Sequence, residues 1–136
     1  MEYKVEGSRR NKKFVEAILP SMIRQLKLEN CSKAVVIRIA DECEGNHGIT
    51  VDLSEHTGCY MVVVAPTRKL KDIGVTLAHE MVHVKQLAKG LLKNKRNGVN
   101  VWAGKTYGKK TPYLDMPWEV QAFSQQELIL RRAIEE

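Results

Sequence analysis

Apolar positions recur at helical spacing in three stretches of the chain and at strand spacing in three others. Phe14, Ile18, Met22, Ile23 and Leu26 predict a helix from Asn11 to about Asn30. Pro20 falls inside it and either kinks one helix or starts a second, because proline is tolerated in a first turn but not in an interior. Ala34–Ala40 is rich in β-branched residues and predicts a strand. Asp41–Asn46 is turn material. Gly48–Leu53 alternates, with Ile49, Val51 and Leu53 opposite Thr50 and Asp52, as a half-exposed strand does. Glu55–Gly58 reads as a hairpin turn. Cys59–Ala65 is nearly all apolar, which predicts a strand buried on both faces and ended by Pro66.

The second helical stretch runs from about Ile73 to Lys89 on Ile73, Leu77, Met81, Val84 and Ala88, with Asp72 as N-cap and Gly90 as the residue past its end. Residues 91–112 are polar, basic and glycine-containing, and predict a long loop or a short strand. The third stretch runs from Asp115 to about Ile134. Pro117 suits its first helical position, and Trp118, Ala122, Ile129 and Ala133 form its apolar stripe. Residues 1–10 read as a flexible arm and 11–136 as one domain. The expected fold is α+β: an N-terminal helix, a small, mostly antiparallel sheet of about three strands, a central helix and a closing C-terminal helix.

Length and composition narrow the class. The 136 residues suit one domain with one core, and 43% hydrophobic with 28% charged residues is ordinary for a globular protein. No apolar run approaches the roughly 18 residues of a membrane span, so no membrane partner is expected. The N-terminus has no apolar leader segment. Cys31, Cys43 and Cys59 are odd in number and match no zinc spacing, which predicts reduced thiols in a cytoplasmic protein; the sequence does not fix the oligomeric state, and a monomer is favoured. The formal charge is +6, with basic clusters at Arg9–Lys13, at Lys93–Arg96 and around Lys105, Lys109 and Lys110. Such runs are usually solvated surface, and they also suit a nucleic acid or an acidic protein partner.

The chemistry concentrates in the central helix. His79, Glu80 and His83 make an HExxH motif. Side chains four apart share a helix face, about 5–6 Å between Cβ atoms, so the two histidines can hold one zinc ion. Glu80 lies beside the first of them and is placed to act as general base on a water whose pKa zinc lowers to about 7. A catalytic zinc takes a third protein ligand. Glu119, in the first turn of the last helix among Trp118, Ala122 and Phe123, is the first choice. A carboxylate at such an apolar helix start needs a partner. Asp115 follows, then His47 or His56.

HExxH followed by a Glu on a second helix resembles the gluzincin type of zincin metallopeptidase, and the element order is similar to minimal single-domain gluzincins and to small SprT-like proteins. The resemblance covers most of residues 11–134, and its specific part is His79, Glu80, His83 and Glu119. It implies one zinc per chain on His79, His83 and Glu119, with Glu80 as base and a peptide or protein as substrate. No His follows His83, which separates the chain from the usual SprT-like ligand set. Phe123 stands where larger gluzincins carry an Asp that steadies a zinc histidine. The downstream oxyanion His or Tyr is also missing, and Tyr107 and Tyr113 are the phenols available for that role. These departures leave a second expectation open: a zinc-containing module of weak or no activity that binds protein or nucleic acid.

Overall fold

The computed structural model describes residues 1–136 apart from the side chain of Arg96. In chain order the elements are β1 (Tyr3–Glu6), α1 (Arg9–Gln25), β2 (Ala34–Ile39), β3 (Gly48–Leu53), the single turn α2 (Ser54–Thr57), β4 (Cys59–Val64), α3 (Leu70–Ala88), β5 (Leu92–Asn94), β6 (Asn100–Trp102), β7 (Lys105–Tyr107) and α4 (Pro117–Glu135). The fold is α+β.

The main sheet has four strands in the order β1-β2-β4-β3. It is mixed rather than mostly antiparallel: β1 with β2 and β2 with β4 run parallel, and only β3 with β4 runs antiparallel. Connection length decides this. The short link through α2 and Gly58 makes β3–β4 a hairpin, whereas α1 is a crossover between β1 and β2. The apolar β4 takes an interior slot, and the half-polar β3 is left at the edge. The arm expected at residues 1–10 holds β1. Its four residues bury only Val5, too little pattern to announce a strand, but their backbone pairs along β2 from Tyr3–Val35 to Glu6–Arg38.

One face of the sheet carries the core. Val5, Val35, Ile37, Ile39, Tyr60, Val62 and Val64 pack with buried residues of α1, α3 and α4. The other face is only half-covered, since Val36, Cys59 and Met61 keep partial exposure while Val63 is buried, so β4 is buried on both faces only toward its end. Pro20 sits within one continuous α1, which ends at Gln25 rather than near Asn30. Lys27, at φ 57°, takes the left-handed conformation that closes it.

Helix α3 starts earlier than the apolar pattern suggests. Its N-cap is Lys69, and Asp72 lies in its first turn, where a carboxylate complements the helix dipole. Gly90, at φ 76°, follows its C-cap as expected. Gly74 lets α4 approach α3, because a Cβ there would stand 2.5 Å from Leu130 Cδ1. The stretch 91–112 is neither a plain loop nor one strand but a three-stranded antiparallel sheet, β5-β6-β7. Its β6–β7 turn, Ala103-Gly104, has positive φ at both residues, as tight two-residue hairpins require. Pro117 occupies the first turn of α4. No helix among the described residues is long and apolar enough to cross a membrane.

Candidate metal centre

Helical spacing puts the His79 and His83 rings on one face of α3, edge to face with centroids 4.9 Å apart. The N-terminus of α4 brings Glu119 against them. Glu119 Oε1 lies 2.9 Å from His79 Nε2 and 3.1 Å from His83 Nε2, and all three side chains are buried. One donor atom from each lies within 4.8 Å of the others. Donors that share one zinc at about 2.0–2.2 Å stand about 3–4 Å apart, so this trio of two imidazoles and a carboxylate fits a zinc-type ion.

The far side of each imidazole is also held. Gln86 Oε1 lies 2.8 Å from His83 Nδ1, and Gln126 Oε1 lies 2.9 Å from His79 Nδ1. An amide oxygen only accepts, so each Nδ1 donates to its glutamine; each Nε2 then faces the metal position and, when it too is protonated, donates to Glu119 instead. The orientation of Gln86 is fixed independently: its Nε2 donates to the Trp118 carbonyl at 3.0 Å and to Gln121 Oε1 at 2.9 Å. That amide ties α3 to the turn that carries Glu119. Phe123 supplies no carboxylate and instead packs its ring on His79, centroids 4.5 Å apart. Sequence reasoning missed both glutamines. Their position was the only signal: Gln86 follows His83 by one helical turn, and Gln126 follows Glu119 by two.

Glu80 stands beside the trio and outside it. Its Oε1 accepts the Thr50 hydroxyl at 2.7 Å. Strand β3 passes so close that a Cβ on Gly48 would lie 3.2 Å from Glu80 Oε2 and 2.7 Å from Thr76 Cγ2. Burial pushes the Glu80 carboxyl up, and the nearby His83 charge and the Thr50 bond only partly counter it. Glu119 shifts the other way. Burial opposes its charge, but bonds from His79 and His83 more than offset that and hold it at about 2. Burial likewise opposes a charged His83, and the Glu119 bond and charge overcome it, so its pKa is raised.

A cleft of about 280 Å³ opens over these groups between Gly48–Thr50 on one side and Asn94 on the other. Tyr113 reaches it: its hydroxyl donates to Glu119 Oε1 at 3.0 Å, and burial with the Glu119 charge raises its pKa. Tyr107 does not. Its ring packs edge-on against Trp118 at 5.5 Å with Lys105 Nζ 5.2 Å from its centroid, which anchors β7 to the start of α4. His47, His56 and Asp115 are exposed, and the three cysteines are free thiols. Among the described residues none of these six joins the metal-holding group. No protein-family model, curated protein or solved structure matches this chain.

Proposed function

We propose that this protein is a zinc-dependent peptidase. The observation that carries the reading is the division of labour in the cleft. His79, His83 and Glu119 converge on one point, while Glu80 is held beside that point by Thr50 and kept out of the ligand set. Zinc bound there supplies Lewis acidity toward a carbonyl and acidifies water.

The chain's own residues then have separate tasks. Gln86 and Gln126 keep the protons on the histidine Nδ1 atoms, so that both Nε2 lone pairs serve as ligands. Glu80 takes the proton of the attacking water at a carboxylate oxygen and hands it to the leaving amine. The burial that raises its pKa makes it a stronger base than an exposed carboxylate. The Tyr113 hydroxyl donates into the cleft and, released from Glu119, would meet negative charge developing on the carbonyl oxygen. Edge strand β3 borders the cleft and offers an unpaired backbone edge along which an extended polypeptide can add as a further strand.

The second reading, a zinc-containing binding module without turnover, is favoured by one feature. The Tyr113 hydroxyl is bonded to the ligand carboxylate and must move before it can help a reaction. Elemental analysis combined with cleavage of unfolded protein and peptide pools separates the two. The expected result is one zinc per chain, much less in Glu119→Ala, chelator-sensitive cleavage by the parent, and turnover at least about a hundredfold lower in Glu80→Gln with its zinc retained. Full activity of Glu80→Gln, or equal zinc in the parent and Glu119→Ala, would overturn the mechanism.

A further inference from the structure

One stretch of the chain is basic with no acidic residue in it. Residues 91–112 hold six of the 22 Lys and Arg and none of the 16 Asp and Glu. The stretch is the small sheet and its flanks. Lys93, Lys95, Lys105, Lys109 and Lys110 are all exposed. The β5–β6 turn is closed by the Lys95 N–H bond to the Val99 carbonyl at 2.8 Å. Lys109 lies across that turn, since a Cβ on Gly98 would meet the Lys109 Cβ at 3.2 Å. Lys95 and Lys109 therefore flank one hairpin tip. Among the described residues none of these five lysines makes an ion pair. Like charges gathered without counter-charge create a local positive potential that an anionic partner relieves.

The same sheet is a wall of the cleft. Leu92 and Asn94 on β5 line it together with His83, Trp118 and Glu119. β5 ends at Asn94, and the hairpin tip that carries Lys95 and meets Lys109 lies directly beyond it, so a chain that runs past the end of β5 comes near these lysines. We propose that the small sheet recognises an acidic segment of the polypeptide substrate, on one side of the bond that is cut. This rests on the peptidase reading for what occupies the cleft. A nucleic acid fits the surface less well. Trp102 and Tyr107 are half-buried against Trp118, at 6.4 and 5.5 Å between centroids, and do not offer free ring faces on which bases stack.

The test uses the zinc-loaded Glu80→Gln protein, which binds without cutting on the peptidase reading. It is titrated with fluorescent peptides that share one apolar core flanked at both ends by Glu and Asp, by Ser, or by Lys. The acidic peptide should bind roughly tenfold tighter than the Ser peptide at low salt, the gain from a few exposed charge pairs. The difference should shrink as salt shortens the Debye length to about 10 Å at 0.1 M. Lys95→Glu combined with Lys109→Glu and Lys110→Glu should turn the preference toward the Lys peptide, with an unchanged melting temperature showing that the fold is intact. Equal affinity for the acidic and Ser peptides at low salt overturns the proposal. So does a single-stranded oligonucleotide that displaces the acidic peptide at lower concentration. Active parent protein is assayed alongside. Cleavage of the core without any acidic preference keeps the peptidase and sinks the surface. Acidic binding that depends on the three lysines, with no cleavage of any peptide, supports the surface and sinks the peptidase.

Discussion

Gln86 joins the chemistry of the site to the stability of the fold. It is fully buried, and its amide serves His83, the Trp118 carbonyl and Gln121 at once. Gln86→Ala should lower zinc affinity by about 10–100-fold, as loss of a partner behind a metal histidine does. It should also destabilise the protein by about 1–3 kcal/mol through the polar groups left unpaired. Among the described residues Gln126 bonds only His79, and it is half-buried, so Gln126→Ala should weaken zinc binding with little loss of stability. Competition titration against a chromogenic chelator, beside thermal unfolding, tests both. Unchanged affinity in both variants would show that the amides do not hold the ligand tautomers. Glu80 makes the opposite case, a residue whose burial costs stability. Its folded pKa is raised, so ionisation penalises the folded state, and stability falls as pH rises from 4.5 through that higher value. Glu80→Gln removes the ionisation and keeps an oxygen to accept the Thr50 bond. The metal-free variant should therefore melt above the parent at pH 7, and the gap should close below pH 4. A variant less stable than the parent at pH 7 would show that the carboxylate is not strained by its burial.

At the scale of elements, the site exists because α3 and α4 approach closely, and Gly74 permits that approach. Gly74→Ala places its methyl 2.5 Å from Leu130 Cδ1 and should cost about 1–3 kcal/mol by overpacking. Leu130→Ala, which empties the same space, should make the double variant less damaged than the two single losses added together. Strict additivity in denaturant unfolding would place the strain elsewhere. This approach could not be seen in the chain, where Gly74 is one glycine inside a helical pattern. Long periodic stretches were legible: α3, α4, β2, β3 and β4 lie within a few residues of their expected places. Short ones were not. β1 buries one side chain, and β5, β6 and β7 are three residues each, too short for any alternation to register. Sheet topology was misjudged for a related reason. Neighbours in sequence suggest hairpins, but the loop 40–47 carries the chain past the slot that β4 then fills. Among the candidate site residues, the HExxH motif pointed to His79, Glu80 and His83, and the choice of Glu119 followed from the need for a third ligand. Tyr107 and Tyr113 could not be told apart, because which phenol reaches the cleft depends on how the unforeseen small sheet packs on Trp118.

For the whole molecule, the buried charges that stabilise the metal-free fold are the ones a bound ion would use. Without metal, Glu119 sits at about 2 and His83 is raised, so the two form an ion pair at mildly acidic pH. The Glu119 contribution is present above 4.5 and fades as pH falls toward 2. The His83 contribution is full below 6.5 and fades as pH rises through its higher folded value. On the proposed reading zinc would have to displace the His83 proton, so its affinity should rise over the same range in which the ion pair is lost. The metal-free protein should then be less stable at pH 8 than at pH 6, while the gain from added zinc should be larger at pH 8. With zinc at about 100 times its dissociation constant at pH 8, the stabilisation is about 2.7 kcal/mol, which for a chain of this size is a rise of roughly 10 °C in melting temperature. Excess chelator should reverse it, and Glu119→Ala should lose most of it. Melting curves at both pH values, with and without zinc, decide the matter. A zinc shift that is equal at pH 6 and pH 8 and survives Glu119→Ala would mean that the ion binds elsewhere, and the buried trio would then be a polar cluster that serves the fold alone.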